Sequence, residues 1–204
     1  MDKWSQLASK ESIETTIAVL KSHNIEAILV ENGEAAKKKV LEMLPEGAEV
    51  MTMSSTTLQQ IGLVEEIENS PKYDVVKKKL SAMDRATQSR EMQRIGAAPE
   101  WAIGSVHAVT EDGHAMIASN TGSQLPAYAY GAGHVIWVVG TQKIVKNIDE
   151  GMKRIFEHSL PLESERTHKA YGVPGSAVNK VLLVNNEVQS QRITMILVNE
   201  VLGF

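Results

Sequence analysis

Apolar residues recur along the chain in two rhythms, one helical and one extended. Ile13, Ile17 and Leu20 fall at i, i+4 and i+7, one face of a helix. His23-Asn24 then offers a left-handed stop before Ile25 to Val30, a short apolar strand. Asn32-Gly33 opens a second helix with Ala36, Val40 and Met43 on one side, and Pro45-Glu46-Gly47 ends it. Val50 to Met53 reads as the next strand. Residues 63 to 95 are predominantly polar and helical, with an apolar stripe at Val76, Leu80 and Met83 and a break at Ser70-Pro71.

The central stretch, Trp101 to Lys143, is where strand patterns alternate with loops of small polar residues. Ala102 to Val109 and His114 to Ala118 read as two strands of a hairpin whose two-residue turn is Asp112-Gly113. His134 to Val139 is a continuous apolar run suited to a strand buried on both faces. Asn147, with Glu150 at the capping-box position, starts a helix through Ile148, Met152 and Ile155. A break at Leu160-Pro161 separates it from a short helix ending near Tyr171-Gly172. Val181 to Val184 and Ile193 to Val198 read as two further buried strands.

This alternation predicts an α/β fold over residues 1–204 as a single domain: a mixed, largely parallel sheet with one antiparallel hairpin and helices on both faces. No repeat, linker or low-complexity tract divides it. In such sheets ligands sit beyond the carboxyl ends of the strands. Three loops are therefore candidates for one anion pocket: Ser54-Ser55-Thr56-Thr57, Asn120-Thr121-Gly122-Ser123-Gln124 and Gly140-Thr141-Gln142-Lys143. In the first, Thr57 and Gln60 fit the capping-box pattern, so its hydroxyls serve either a ligand or the helix start.

Composition narrows the chemistry. With 43% hydrophobic residues in 204, the chain can bury its own core. A net charge of -4 argues against a nucleic-acid surface, and the triple-lysine runs Lys37 to Lys39 and Lys77 to Lys79 are spread around helices as solvated charge. There is no cysteine, so this chain supplies no disulfide, thiol nucleophile or thiolate ligand to a cluster. The start, MDKWSQLASKES, lacks the apolar core of a signal sequence and no run is long enough to span a membrane, so a cytoplasmic location without membrane insertion is expected.

Gly140 to Lys143 matches neither the phosphate-loop nor the dinucleotide fingerprint, the six histidines show no metal-ligand spacing, and Ser54 and Ser123 lack a nucleophile-elbow context. No metal or cofactor is expected. Lys143 either neutralises a bound anion or is a solvated loop residue. As a base it would need burial or a neighbouring cation, and the nearest in sequence is Lys146. Glu111, placed opposite His114 by a two-residue turn, is a candidate for proton transfer or covalent catalysis, or else an exposed cross-strand partner. Trp137 belongs in the core. Tyr128 and Tyr130 either pack there or wall the pocket.

The blocks SSTTLQQIGL (Ser54 to Leu63), AIGSVHAVTEDG (Ala102 to Gly113), SNTGSQLPAYAYGA (Ser119 to Ala132), HVIWVVGTQKIV (His134 to Val145) and ILVNEVLGF (Ile196 to Phe204) resemble the LUD domain of lactate-utilisation proteins, specifically the small C-type subunit and its stand-alone relatives. The resemblance covers the chain from about residue 10 onward. It implies the fold shared by ribose-5-phosphate isomerase, glucosamine-6-phosphate deaminase and the CoA transferases. It also implies a role in oxidising L-lactate to pyruvate beside subunits that carry the iron–sulfur clusters. Glu111-Asp112-Gly113 looks like the Glu-x-Gly of CoA transferases, but shared fold does not carry chemistry.

Three roles follow as expectations. The first is an accessory subunit of a lactate-oxidising assembly that binds a small anionic metabolite or its partner subunits. The second is a free-standing enzyme of the isomerase, ligase or acyl-transferase kind. The third is a structural interaction module.

Overall fold

The computed structural model of the protein describes residues 3–204; Met1 and Asp2, the start of the stretch read for a signal sequence, lie outside the described residues. Ser9 accepts a hydrogen bond from Ser12 N and starts helix α1 (Lys10–Ser22). Asn24, at φ 60°, turns the chain into strand β1 (Glu26–Val30). Asn32 caps α2 (Gly33–Met43) through Ala35 N. Strand β2 (Glu49–Thr52) then leads into two short helices, α3 (Thr56–Gln60) and α4 (Leu63–Asn69). A two-residue strand β3 (Asp74–Val75), α5 (Val76–Ser81) and α6 (Arg85–Ala97) complete the first half.

The second half begins with β4 (Trp101–Gly104), β5 (Ala108–Thr110) and β6 (Ala115–Ser119). A π-turn (Ala127–Gly131) precedes β7 (His134–Gly140), and a 3-10 turn (Thr141–Lys143) joins that strand to β8 (Ile144–Val145). Next come α7 (Ile148–Arg154), a second π-turn (Ile155–Ser159), α8 (Leu160–Tyr171), β9 (Lys180–Val184) and β10 (Ile193–Val198). Asn147 caps α7 through Glu150 N, and the Glu150 carboxylate accepts from Lys146 N, one residue earlier than a strict capping box requires.

Six strands form a wholly parallel sheet in the order β1-β10-β7-β4-β2-β3, the largely parallel sheet that the apolar runs predict. Its central strands alternate between two cores. Val135, Trp137 and Val139 of β7 face one that includes Leu20 of α1, while Ile136 and Val138 face the other, under Val40 of α2, Leu58 of α3 and Ile67 of α4. Burial on both faces explains why these strands read as unbroken apolar runs. The remaining strands form a second sheet, β8-β5-β6-β9, whose other core takes in Trp4, Met116 and Ile155.

Several expectations change. The strand expected over Ala102 to Val109 is two strands in two sheets: β4 pairs with β2 and β7, whereas β5 pairs with β6 and β8. Only Ser105, Val106 and His107 separate them, and apolar residues on both sides hide the crossing. The hairpin loop has three residues, not two. Thr110 N donates to His114 O and Gly113 N to Thr110 O, with Gly113 at φ 83°, a backbone that favours glycine. Thr110, not Glu111, therefore lies opposite His114. The helix after Asn147 does not break at Leu160-Pro161. The π-turn precedes Pro161, so the helical path continues past a residue that has no N–H to give, until Gly172 ends it. The strand read at Val181 to Val184 is an edge strand and is partly exposed.

Candidate functional site

The two sheets meet along a seam, and the chain crosses that seam twice, side by side. Strands β4 and β7 are neighbours in the parallel sheet, with Gly104 opposite Trp137, and β5 and β8 are neighbours in the second, with Val109 opposite Ile144. The links Ser105–His107 and Thr141–Lys143 therefore run together from one sheet to the other. At this crossing Lys143 turns inward, only 2% exposed. Its ammonium donates to Thr57 Oγ1 at 3.0 Å, Ser105 Oγ at 3.2 Å and Val106 O at 3.3 Å. Three donors meet three acceptors, all of them neutral.

Burial drives the Lys143 pKa well below the usual lysine value, and the positive charge of Arg154 lowers it further. Arg154 is fully buried and donates to His107 O at 2.6 Å and Ser159 Oγ at 3.1 Å. Sequence neighbours alone gave Lys143 no nearby cation; the fold brings one from α7. His107 is held at about 3, first by burial and then by the charges of Lys143 and Arg154. Its Nδ1 accepts from Ala118 N at 3.1 Å, which leaves the single ring proton on Nε2. The neighbourhood is thus electropositive, and its imidazole is neutral at physiological pH.

A cavity of about 950 Å³ opens over this crossing. Ser54, Ser55, Thr56 and Thr57 line it, as do Asn120, Thr121, Gly122, Ser123, Gln124 and Lys143. Gly140, Thr141 and Gln142 do not: they are buried beside it, with Gln142 Nε2 donating to Leu202 O at 2.8 Å. The 3-10 turn explains this, because it points one side chain, Lys143, toward the cavity and folds the others into the protein. Helix α3 is capped by Ser55, whose Oγ accepts from Leu58 N, so Thr57 is not the cap and is free to receive Lys143. The loop after β6 is largely satisfied internally. Ser119 Oγ donates to Gln124 Oε1 and accepts from Gly122 N, and Asn179 Nδ2 donates to Asn120 Oδ1. It shapes a wall more than it offers free donors.

Glu111 lies outside the cavity lining, on the hairpin loop against α1, where its Oε1 accepts from Ser12 Oγ at 2.6 Å. Of the two tyrosines, Tyr128 is buried at the cavity wall, edge-on to Trp137 at 5.6 Å between centroids, whereas Tyr130 is 89% exposed. Burial raises the Tyr128 pKa, so the phenol stays protonated. Residues that the sequence reading missed include Ser105 and His107, and at the cavity mouth Arg85 and Arg90 on α6 and Tyr171 on α8. A signal for the first two existed: Gly104-Ser105 interrupts the apolar run. The mouth residues carry none, because α6 and α8 read as ordinary polar helices. Among the described residues no cluster of three or more His, Cys, Asp or Glu is placed to hold a metal ion, and no helix is long and apolar enough to cross a membrane.

Comparison with known proteins agrees with this architecture. The solved structure of a DUF162 family protein from Deinococcus radiodurans, determined at 1.70 Å, superposes with a TM-score of 0.56 at 12% identity, covering 95% of this chain and 99% of that one, a likeness of fold. A search of curated proteins returned no match. The model of the LUD domain matches residues 13–202, which takes in every strand, the crossing and the cavity loops, and the chain therefore belongs to the LUD domain family.

Proposed function

We propose that the chain serves lactate utilisation by binding a small anionic metabolite, such as a 2-hydroxy or 2-oxo carboxylate, over the crossing of the two sheets. The observation that carries this reading is the buried Lys143, which donates only to neutral oxygens. A buried ammonium without a carboxylate is costly to keep charged. An anion entering the cavity offsets that cost, and Ser105, only partly buried, is placed to relay the field of Lys143 to a ligand through its hydroxyl. The chain has no cysteine, so the redox clusters of a lactate-oxidising assembly would belong to partner chains, with this chain as an accessory subunit.

Calorimetric titration with L-lactate and pyruvate tests the reading. Both should bind to the wild type, and Lys143→Met should weaken binding by about 1.5 to 3 kcal/mol, the scale of one charge-assisted contact. Equal binding by a folded Lys143→Met variant would overturn it. One observation favours a second reading, a free-standing enzyme: a lysine with a depressed pKa beside a neutral imidazole is equipped for proton transfer. Turnover of a small-molecule substrate by the isolated chain, lost in Lys143→Met, would select that reading.

A further inference from the structure

The cavity is much larger than a lactate-sized ligand needs. A carboxylic acid of about six heavy atoms fills a small part of 950 Å³, whereas pockets of roughly 300–1,000 Å³ enclose drug-sized molecules. Its charge is also out of keeping with the rest of the chain. Five lysine or arginine side chains line it against one acidic side chain, Glu163, although the chain as a whole carries 21 basic and 25 acidic residues. Positive charge gathered in a cleft of an acidic protein focuses the field on polyanions.

These cations are not equivalent. Lys143 lies at the floor, and Lys77 is paired with Glu68 at 3.0 Å. Arg166 holds Glu163 in two hydrogen bonds of 2.7 Å. Arg85 and Arg90, on the cavity side of α6, are different. Arg90 donates to the neutral amide of Gln93, and among the described residues Arg85 has no ion-pair or hydrogen-bond partner. Two guanidiniums without carboxylates at the mouth of a cavity are available to the oxygens of a phosphate group. At the mouth too is Tyr171, an aromatic ring left 69% exposed while lining the cavity, with the Arg166 guanidinium 6.0 Å from its centroid. An exposed ring of this kind is a surface on which a planar base stacks. Helices α6 and α8, which carry these groups, bury no side chain of their own, so they can adjust to a ligand at little packing cost.

We propose that the cavity takes a nucleotide-class ligand, its phosphates held by Arg85 and Arg90 and its aromatic ring laid on Tyr171, with the crossing at Lys143 left for the smaller anionic group. This rests on the reading of the cavity as an anion site and names what fills the rest of it. Calorimetric titration of the full chain with ADP, inorganic pyrophosphate and L-lactate tests it. ADP should bind at one site per chain. The double variant R85Q/R90Q should weaken ADP by about tenfold or more, and by more than it weakens L-lactate. Tyr171→Ala should weaken ADP and leave pyrophosphate unchanged. The proposal falls if ADP gives no binding at millimolar concentration, if R85Q/R90Q leaves ADP affinity intact, or if pyrophosphate binds as tightly as ADP. Lysine-dependent L-lactate binding without ADP binding would remove this inference and spare the small-anion reading; ADP binding without L-lactate binding would do the reverse.

Discussion

The phenol of Tyr128 occupies the space that a side chain at residue 104 would need: a Cβ at Gly104 would overlap the Tyr128 hydroxyl and sit 3.3 Å from Met53 Cβ. The last residue of β4 is bare so that an aromatic ring can reach across the end of the strand and form the inner wall of the cavity. Gly104→Ala should therefore cost about 1 to 3 kcal/mol through overpacking and push the ring toward the cavity. Urea denaturation measures the first effect, and the near-UV circular dichroism of the Tyr128–Trp137 pair reports the second.

Arg192 secures the same tyrosine from behind. It is buried, pairs with Glu187 at 2.6 Å, and donates to Ala127 O and Tyr128 O of the π-turn and to Ala132 O just after it. Glu187→Ala strands a buried guanidinium and should destabilise the fold by about 3 kcal/mol or more. Added salt should not restore it, because the pair is shielded from solvent. A loss under 1 kcal/mol in urea titration would show that the carbonyls alone satisfy Arg192.

Lys143 should leave a signature in alkaline stability. Its folded pKa lies below the ordinary 10.5. Between the two values the unfolded chain holds a proton that the folded chain has released, so stability rises with pH through that interval. Wild type should gain stability relative to Lys143→Met as pH rises toward 10.5. Parallel curves for the two proteins would contradict the burial of the charge.

His107 should act in the acid range, and in the same sense. Its folded pKa of about 3 lies below the usual 6.5. As pH falls from 6.5 toward 3 the unfolded chain takes up a proton that the folded chain refuses, and stability is lost. The loss should be on the order of 1 to 3 kcal/mol, since the imidazole is only partly buried and water screens some of the effect. His107→Gln, which keeps an acceptor for Ala118 N, should flatten the melting temperature over this range relative to wild type.

Much of this fold was legible from periodicity because the parallel strands are buried on both faces. Ile193 to Val198 and His134 to Val139 could hardly be read otherwise. What escaped was the second sheet. Where a strand ends in one sheet and resumes in another after three residues, Gly104-Ser105 marks a break, but nothing local marks which partner each half will find. The cavity loops after β2 and β6 were found by their small polar residues. Thr141 and Gln142 carried the same signal yet are buried, because a 3-10 turn, invisible in composition, decides which of its three side chains faces the cavity. The importance of Arg154, eleven residues beyond Lys143 in sequence, appears only once α7 packs under the crossing.

The position of β10 in the parallel sheet bears on how the protein comes into being. It lies between β1 and β7, with all six of its residues buried, and among the described residues β1 pairs with no other strand. During synthesis the first strand must therefore wait until residues 193–198 emerge from the ribosome before it can pair. Local helices can form in the meantime, but the sheet cannot close until residue 198 is free. Throughout that interval the backbone N–H and C=O groups of β1 remain without a partner strand.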